Sequence, residues 1–237
     1  FIEVDRDSDD PGLRLRGPVD QAISPDGRHV YALSLGENAI TMFERTALAG
    51  LDGADPGAHL VPVASWVDGD NGVAGLDRAR RVLVSPDGTS LFVTSDDNST
   101  LAVFRRDNDP ASAGFGRLTF LQNMRQGQDG VAGINGARGM VMDPTSTHLY
   151  VAGSFGSSIA LFSRAADGTL SFVEQVVGGS NGVTGLAGIS ELAITGDGDQ
   201  VMGTSVNARA LAVFNRNRSG QGVPGRIDFV QAQPITL

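Results

Sequence analysis

Asp20, Glu191, Arg80, Arg81 and Arg138 occupy two adjacent positions of a unit that the chain repeats four times. At the first position the four copies read Val19, Arg80, Arg138 and Ser190; at the second they read Asp20, Arg81, Gly139 and Glu191. Residues that differ between otherwise matching copies are not needed by the repeat itself, so they are free to build a site. A carboxylate takes a proton from water, and a guanidinium binds an anion in bidentate fashion or stabilises charge growing on a carbonyl oxygen. Asp20 and Glu191 are therefore the candidate catalytic groups, and Arg80, Arg81 and Arg138 the candidate ligand-binding groups. The structural reading of the same residues is mutual neutralisation across a solvated channel.

Other chemistry is thinner. All 18 basic residues are arginine, so no lysine base or Schiff base exists, and the absence of cysteine removes thiolate catalysis, disulfides and Cys-type zinc sites. His29 and His148 share one repeat position, four after the anchoring proline, and His59 precedes an outer strand. They are read as solvent-facing turn or strand residues. Asp5, Asp7 and Asp9 alternate as in a DxDxD calcium loop, with Asp68-Gly69-Asp70-Asn71-Gly72 as a shorter echo. Counting from Asp5, the sixth and twelfth positions hold Asp10 and Arg16 where an EF-hand needs Gly and Glu, so the motif fails; the segment reads as a solvated acidic connection, with a non-EF calcium loop at Asp5, Asp7 and Asp9 as the alternative. The Gly72–Leu76, Gly130–Ile134 and Gly182–Leu186 segments resemble phosphate loops, but no helix follows them; they are read as packing bends. Trp66 is read as core between units.

The elements that position these groups follow from the repeat. Its copies run Ala22–Phe43, Leu83–Phe104, Val141–Phe162 and Ala193–Phe214, and from Pro25, Pro86, Pro144 or Gly196 to the closing Phe is 18 positions each time. Each reads as a strand, a Pro-Asp-Gly type turn, a second strand, a polar turn and a third strand. A fourth strand begins at Leu60, Leu118 or Leu170, 26 positions before the next anchor. The stretch before it varies, at 17, 14 and 8 positions from Phe43, Phe104 and Phe162. Strand-rich units repeated at 50–60 residues predict a β-propeller of four-stranded antiparallel blades. Strands a to d run from the channel outwards, the d–a and b–c connections share the ligand face, and the variable c–d loops lie opposite.

The repeats fall at about 17–67, 78–125, 136–177 and 188–233 of a single domain, 1–237. Phe1-Ile2-Glu3-Val4 aligns with the fourth strand Phe172-Val173-Glu174-Gln175, so residues 1–6 read as the outer strand of a preceding blade. That gives five d strands for four abc sets. The expectation is an arc of a larger ring of seven to eight blades, or a ring completed by a second copy; a closed four-bladed ring with one displaced end strand is the alternative.

The stretch Gly27–Phe43, preceded by Ser24-Pro25-Asp26, resembles the YVTN-type repeat of lactonase-like β-propellers and bacterial surface proteins, and Leu149-Tyr150-Val151-Ala152 is similar to its eponymous strand. This resemblance covers nearly the whole chain. It implies the fold; for function it implies either a binding module or a lactonase-like hydrolase. The reading preferred from the sequence is a non-catalytic scaffold presenting a rigid face to a protein, small-molecule or carbohydrate ligand. The alternatives are a hydrolase of sugar lactones at the channel mouth and an oligomer-forming subunit pairing through open blade edges. A formal charge of −9 argues against nucleic acid, and no stretch reaches the length of an apolar membrane span. An extracellular, periplasmic or cell-surface setting, with calcium as the one candidate cofactor and a homodimer as the candidate assembly, completes the expectation.

Overall fold

The computed structural model describes residues 13–47, 58–218 and 222–235. Sixteen strands form four antiparallel sheets, each in simple sequential order. Blade 1 comprises β1 (Pro18–Ile23), β2 (His29–Ser34), β3 (Ala39–Ala47) and β4 (Ala58–Val67). Blade 2 comprises β5 (Ala79–Val84), β6 (Ser90–Ser95), β7 (Thr100–Arg106) and β8 (Leu118–Arg125). Blade 3 comprises β9 (Ala137–Met142), β10 (His148–Gly153), β11 (Ser158–Arg164) and β12 (Leu170–Val177). Blade 4 comprises β13 (Ile189–Ile194), β14 (Gln200–Ser205), β15 (Ala210–Arg216) and β16 (Ile227–Pro234). Innermost strands β1, β5, β9 and β13 neighbour one another in that order. The described residues form a four-blade array of a β-propeller. Residues 1–6, read as an outer strand, and Asp5, Asp7 and Asp9 lie outside the described residues, as does the side chain of His59.

The cores lie at the seams between blades. Tyr31, Leu33, Ile40 and Met42 of blade 1 pack on Val82, Val84, Leu91 and Phe104 of blade 2. Equivalent clusters join blade 2 to blade 3 and blade 3 to blade 4. Strands sandwiched on both faces lose their polar alternation, which is why β6 is buried along its whole length. The closing Phe sits at a bulge against strand d in all four blades, and in three of them it meets a second aromatic ring there. Phe104–Phe120, Phe162–Phe172 and Phe214–Phe229 are edge-to-face pairs 5.4, 5.7 and 5.6 Å apart. Phe43 has Pro62 opposite instead.

The glycine-rich connections are packing elements. Val73, Val131 and Val183 and the following Leu76, Ile134 and Leu186 are all buried. Asp68 Oδ1 accepts the Leu76 amide at 2.8 Å, and Gln126 Oε1 accepts the Ile134 amide at 2.9 Å. Asp68 thus fastens a bend. Trp66 donates from Nε1 to the Leu118 carbonyl at 3.0 Å, tying blade 1 to blade 2.

Candidate functional site at the channel mouth

Bulges in the a–b pairs explain why two adjacent repeat positions vary together. In blade 2 Ala79 pairs with Ser95 and Arg81 with Thr94, so Arg80 is the extra residue. Val19 and Ser190 are skipped in the same way in blades 1 and 4, and the irregularity in blade 3 falls at Arg138-Gly139. A bulge breaks strict alternation and re-aims side chains. Arg80 and Arg81 therefore line one cavity together, and so do Ser190 and Glu191.

That cavity has a volume of about 370 Å³ and is lined by Arg80, Arg81, Asp96, Arg138, Ser190 and Glu191. Asp96, in the b–c turn of blade 2, is its keystone. Its side chain is 2% exposed, with Oδ1 accepting from Arg80 Nε and Oδ2 from Arg138 Nε, both at 3.2 Å. Each guanidinium is thus tethered by one nitrogen, with no hydrogen-bond partner among the described residues for its terminal nitrogens. Arg81 donates from Nε to Glu191 Oε1 at 3.0 Å and from Nη2 to the same oxygen. Its hydrogen bond to Glu191 is the main cause of an upward shift in the Arg81 pKa. The lining carries three guanidinium groups against two carboxylates, a local excess of positive charge in a chain of net charge −9.

Gly139 makes room for Glu191. A Cβ there would stand 2.6 Å from Glu191 Cα and 2.5 Å from the Ser190 carbonyl. The sequence brings four of its five candidates, Arg80, Arg81, Arg138 and Glu191, to this cavity. Asp20 is placed differently: its Oδ2 accepts the Val82 amide at 2.9 Å, stitching β1 to β5 in the channel wall. Asp96 belongs to a b–c turn, Ser95-Asp96-Asp97-Asn98, which the sequence places on the ligand face, but it does not stand out there because Asp is also what a tight turn requires. Among the described residues no group of three or more His, Asp or Glu is placed to share a metal ion.

The opposite end of the blades corrects the reading of the histidines. His29 is buried and His148 nearly so; neither faces solvent. The c–d loop of blade 2 sits on His29, with Phe115 edge-to-face at 4.8 Å, and Tyr31 donates to the Gly116 carbonyl at 2.6 Å. Gly116 has φ +84°, and a Cβ there would stand 2.6 Å from His29 Nε2. Gly225 meets His148 in the same way. Burial first, then the neighbouring Arg106, pulls the His29 pKa below its usual value; burial likewise lowers that of His148.

An arginine two residues past each closing Phe completes these seams. Arg106 donates from Nε to Tyr31 Oη at 2.7 Å, from Nη1 to the Gly88 carbonyl at 2.9 Å and from Nη2 to Asp26 Oδ2 at 3.0 Å, with His29 Nδ1 at 2.8 Å from Nη2. Arg216 repeats the arrangement with Tyr150, Gly198, Asp143 and His148. Arg164 donates to the Ser146 carbonyl, to Asp87 and to the Ser90 and Thr89 hydroxyls, which replace the His-Tyr pair. Burial alone would raise the Asp26 pKa, but hydrogen bonds from Ser24, the Arg28 amide and Arg106 outweigh it and bring it to about 2. Burial pushes the Tyr31 phenol up to about 12.

Residues 129–236 match the family described as lactonase, 7-bladed beta-propeller. No curated protein matches the chain. Among solved structures, a putative 6-phosphogluconolactonase from Bacteroides uniformis aligns with TM-score 0.65 and 21% identity over 92% of this chain and 55% of its own. A periplasmic gluconolactonase from Pseudomonas aeruginosa aligns with TM-score 0.62 and 24% identity over 91% of this chain and 53% of its own. A protein from Lactobacillus plantarum aligns with TM-score 0.68 and 17% identity over 92% and 55%. The chain thus spans about half the length of these structures, and likenesses at such identity speak to the fold. The family match supports the hydrolase alternative over the non-catalytic scaffold preferred from the sequence.

Proposed function

Starting from a lactonase-like β-propeller, we propose that the chain contributes to a hydrolase of sugar lactones, with its reactive groups at the channel mouth. The observation that carries this reading is the pair of guanidinium groups held by Asp96 and facing Glu191 across a cavity of about 370 Å³. Pockets of roughly 300–1,000 Å³ are the usual size for small-molecule sites. Tethering through Nε leaves the terminal nitrogens of Arg80 and Arg138 to meet a carbonyl oxygen or an anionic substituent.

In the reaction, water attacks the lactone carbonyl carbon and Glu191 accepts its proton. Arg80 and Arg138 stabilise the oxyanion; the carbon–ring-oxygen bond then breaks, and the departing oxygen takes the proton back from Glu191. Charge-assisted hydrogen bonds from preorganised donors are the larger contribution, and general-base help adds about 10²–10⁴-fold. The positive excess of the lining favours a lactone bearing a phosphate or carboxylate. Acid release from glucono-δ-lactone and from its 6-phosphate, followed at constant pH, tests the reading. Turnover is expected for both, faster for the phosphate ester, and Glu191→Gln is expected to slow it by about 10²-fold. Turnover unchanged by Glu191→Gln contradicts the assignment.

A further inference from the structure

Of the three arginines at the mouth, Arg81 is the one whose donors are already engaged. Its Nε donates to Glu191 Oε1 at 3.0 Å, its Nη2 donates to the same oxygen, and its Nη1 donates to the Arg80 carbonyl at 3.4 Å. Arg80 and Arg138 are each bound to Asp96 through Nε and keep their terminal nitrogens. The three arginines that the sequence groups together therefore divide into two kinds.

The Arg81–Glu191 pair reaches across a blade. Arg81 lies on β5 and Glu191 on β13, 110 positions later, with blade 3 between them. In blade order the second repeat position reads Asp20, Arg81, Gly139 and Glu191, so the place between the cation and the carboxylate carries no side chain. That absence lets the two meet: a Cβ at Gly139 would stand 2.6 Å from Glu191 Cα and 3.0 Å from Glu191 Oε2. The hydrogen bond to Glu191 first, and the charges of Glu191 and Asp20 after it, raise the Arg81 pKa, so the cation is secure at any pH where a lactone is assayed.

The clamp has an uncommon form. A guanidinium that meets a carboxylate as a fork uses both of its oxygens. Here both donors converge on Oε1. Oε2 has no hydrogen-bond partner among the described residues, and the Glu191 side chain is 47% exposed. One oxygen is fixed, and the other keeps its lone pairs for a proton.

Resting on the hydrolase reading, we propose that Arg81 is a positioning residue: it binds no substrate, fixes Glu191 through Oε1 and makes Oε2 the proton-carrying atom. As the water oxygen bonds to the lactone carbonyl carbon, its proton passes to Oε2. As the carbon–ring-oxygen bond breaks, the same proton passes from Oε2 to the departing oxygen. Contact with the substrate is left to Arg80 and Arg138. A base held in one orientation accelerates the step without tightening binding, so the effect of Arg81 belongs in kcat.

The test uses glucono-δ-lactone 6-phosphate with the unsubstituted chain, Arg81→Ala and Glu191→Gln. Arg81→Ala is expected to lower kcat about tenfold with KM unchanged. Added guanidinium ion, below denaturing concentrations, is expected to restore part of that kcat and none of the Glu191→Gln loss. In protein labelled with ¹³C at its glutamate carboxyl carbons, the resonance that Glu191→Gln removes is expected to move in Arg81→Ala, a readout that needs no turnover. Arg81→Lys serves if the truncation perturbs folding; one ammonium cannot supply both donors, so it is expected to recover kcat only in part. A raised KM with unchanged kcat makes Arg81 a substrate-binding residue and overturns the inference. So does an unmoved Glu191 resonance, or a loss of kcat that guanidinium cannot restore. Absence of turnover by the unsubstituted chain overturns the hydrolase reading itself, and this inference with it.

Discussion

The two ends of each blade use the same side chain in opposite ways. At the a–b turn end, Arg106, Arg164 and Arg216 have side chains 1%, 9% and 8% exposed, each matched to an aspartate and to carbonyl or hydroxyl acceptors. At the channel mouth, Arg80, Arg81 and Arg138 are about 40% exposed, and Arg80 and Arg138 are each held through Nε only. A fully satisfied buried guanidinium is a fastening: removing either partner strands a charge. A half-satisfied, half-hydrated one retains donors for a ligand. Repetition separates the two uses, since the seam arginine recurs in every unit and the mouth residues differ between units.

Breaking a seam should have the largest effect. Arg106→Ala leaves Asp26 and the Tyr31 hydroxyl without their donor, and a loss of about 3–5 kcal/mol is expected in urea titration. At the mouth, Arg81→Ala should leave the urea midpoint nearly unchanged, because partly exposed ion pairs contribute about 0–1 kcal/mol.

Next in size is the loss of the Arg80–Arg138 tether. Asp96→Asn is expected to slow lactone turnover about tenfold, equivalent to about 1.4 kcal/mol. The loss should appear more in kcat than in KM, because misaligned donors fail where charge develops. A change confined to the melting temperature would make Asp96 a structural residue of the turn.

The pH dependence sharpens the contrast from the seam side. His29 and His148 have pKa values lowered in the folded chain, so the unfolded chain binds more protons below the ordinary value of 6.5. Stability is therefore expected to fall as pH drops through about 6.5 towards the folded values, and His29→Gln should flatten that slope. Asp26, lowered to about 2 from 3.8, adds a second loss as pH falls from 3.8 towards 2. Denaturant midpoints between pH 8 and pH 2 measure both. Gly139→Ala is expected to lower both stability and turnover, because its Cβ would stand 2.5 Å from the Ser190 carbonyl oxygen and 2.6 Å from Glu191 Cα, backbone atoms of the neighbouring blade that would have to shift.

What the sequence reveals tracks how local each cause is. The invariant spacing of 18 exposes the a–b turn and the closing Phe, because a hairpin and an aromatic pair within one blade are set by nearby residues. The varying pair at the start of strand a is legible for the same reason, although the bulge that turns both residues to the mouth is not. Burial of His29 depends on a loop more than 80 positions away, so its exposure is misread from its turn. The seam arginine is present in all four copies, at 45, 106, 164 and 216, yet is hard to single out in a chain whose every cation is arginine. Asp143 shows a further limit: it stands where other units have Ser24, Ser85 and Thr195. Its one carboxylate accepts the Thr147 and His148 amides and Arg216, which elsewhere takes a hydroxyl and an aspartate together.

The division of labour between the two ends is tested most directly by Arg138→Ala, with turnover of a phosphorylated sugar lactone and the melting temperature recorded on the same sample. The expected result is at least a tenfold loss of turnover with melting moved by less than about 4 °C, the shift that 1 kcal/mol brings at this chain length. Full turnover with a lower melting temperature, or no turnover by the unsubstituted chain, contradicts it.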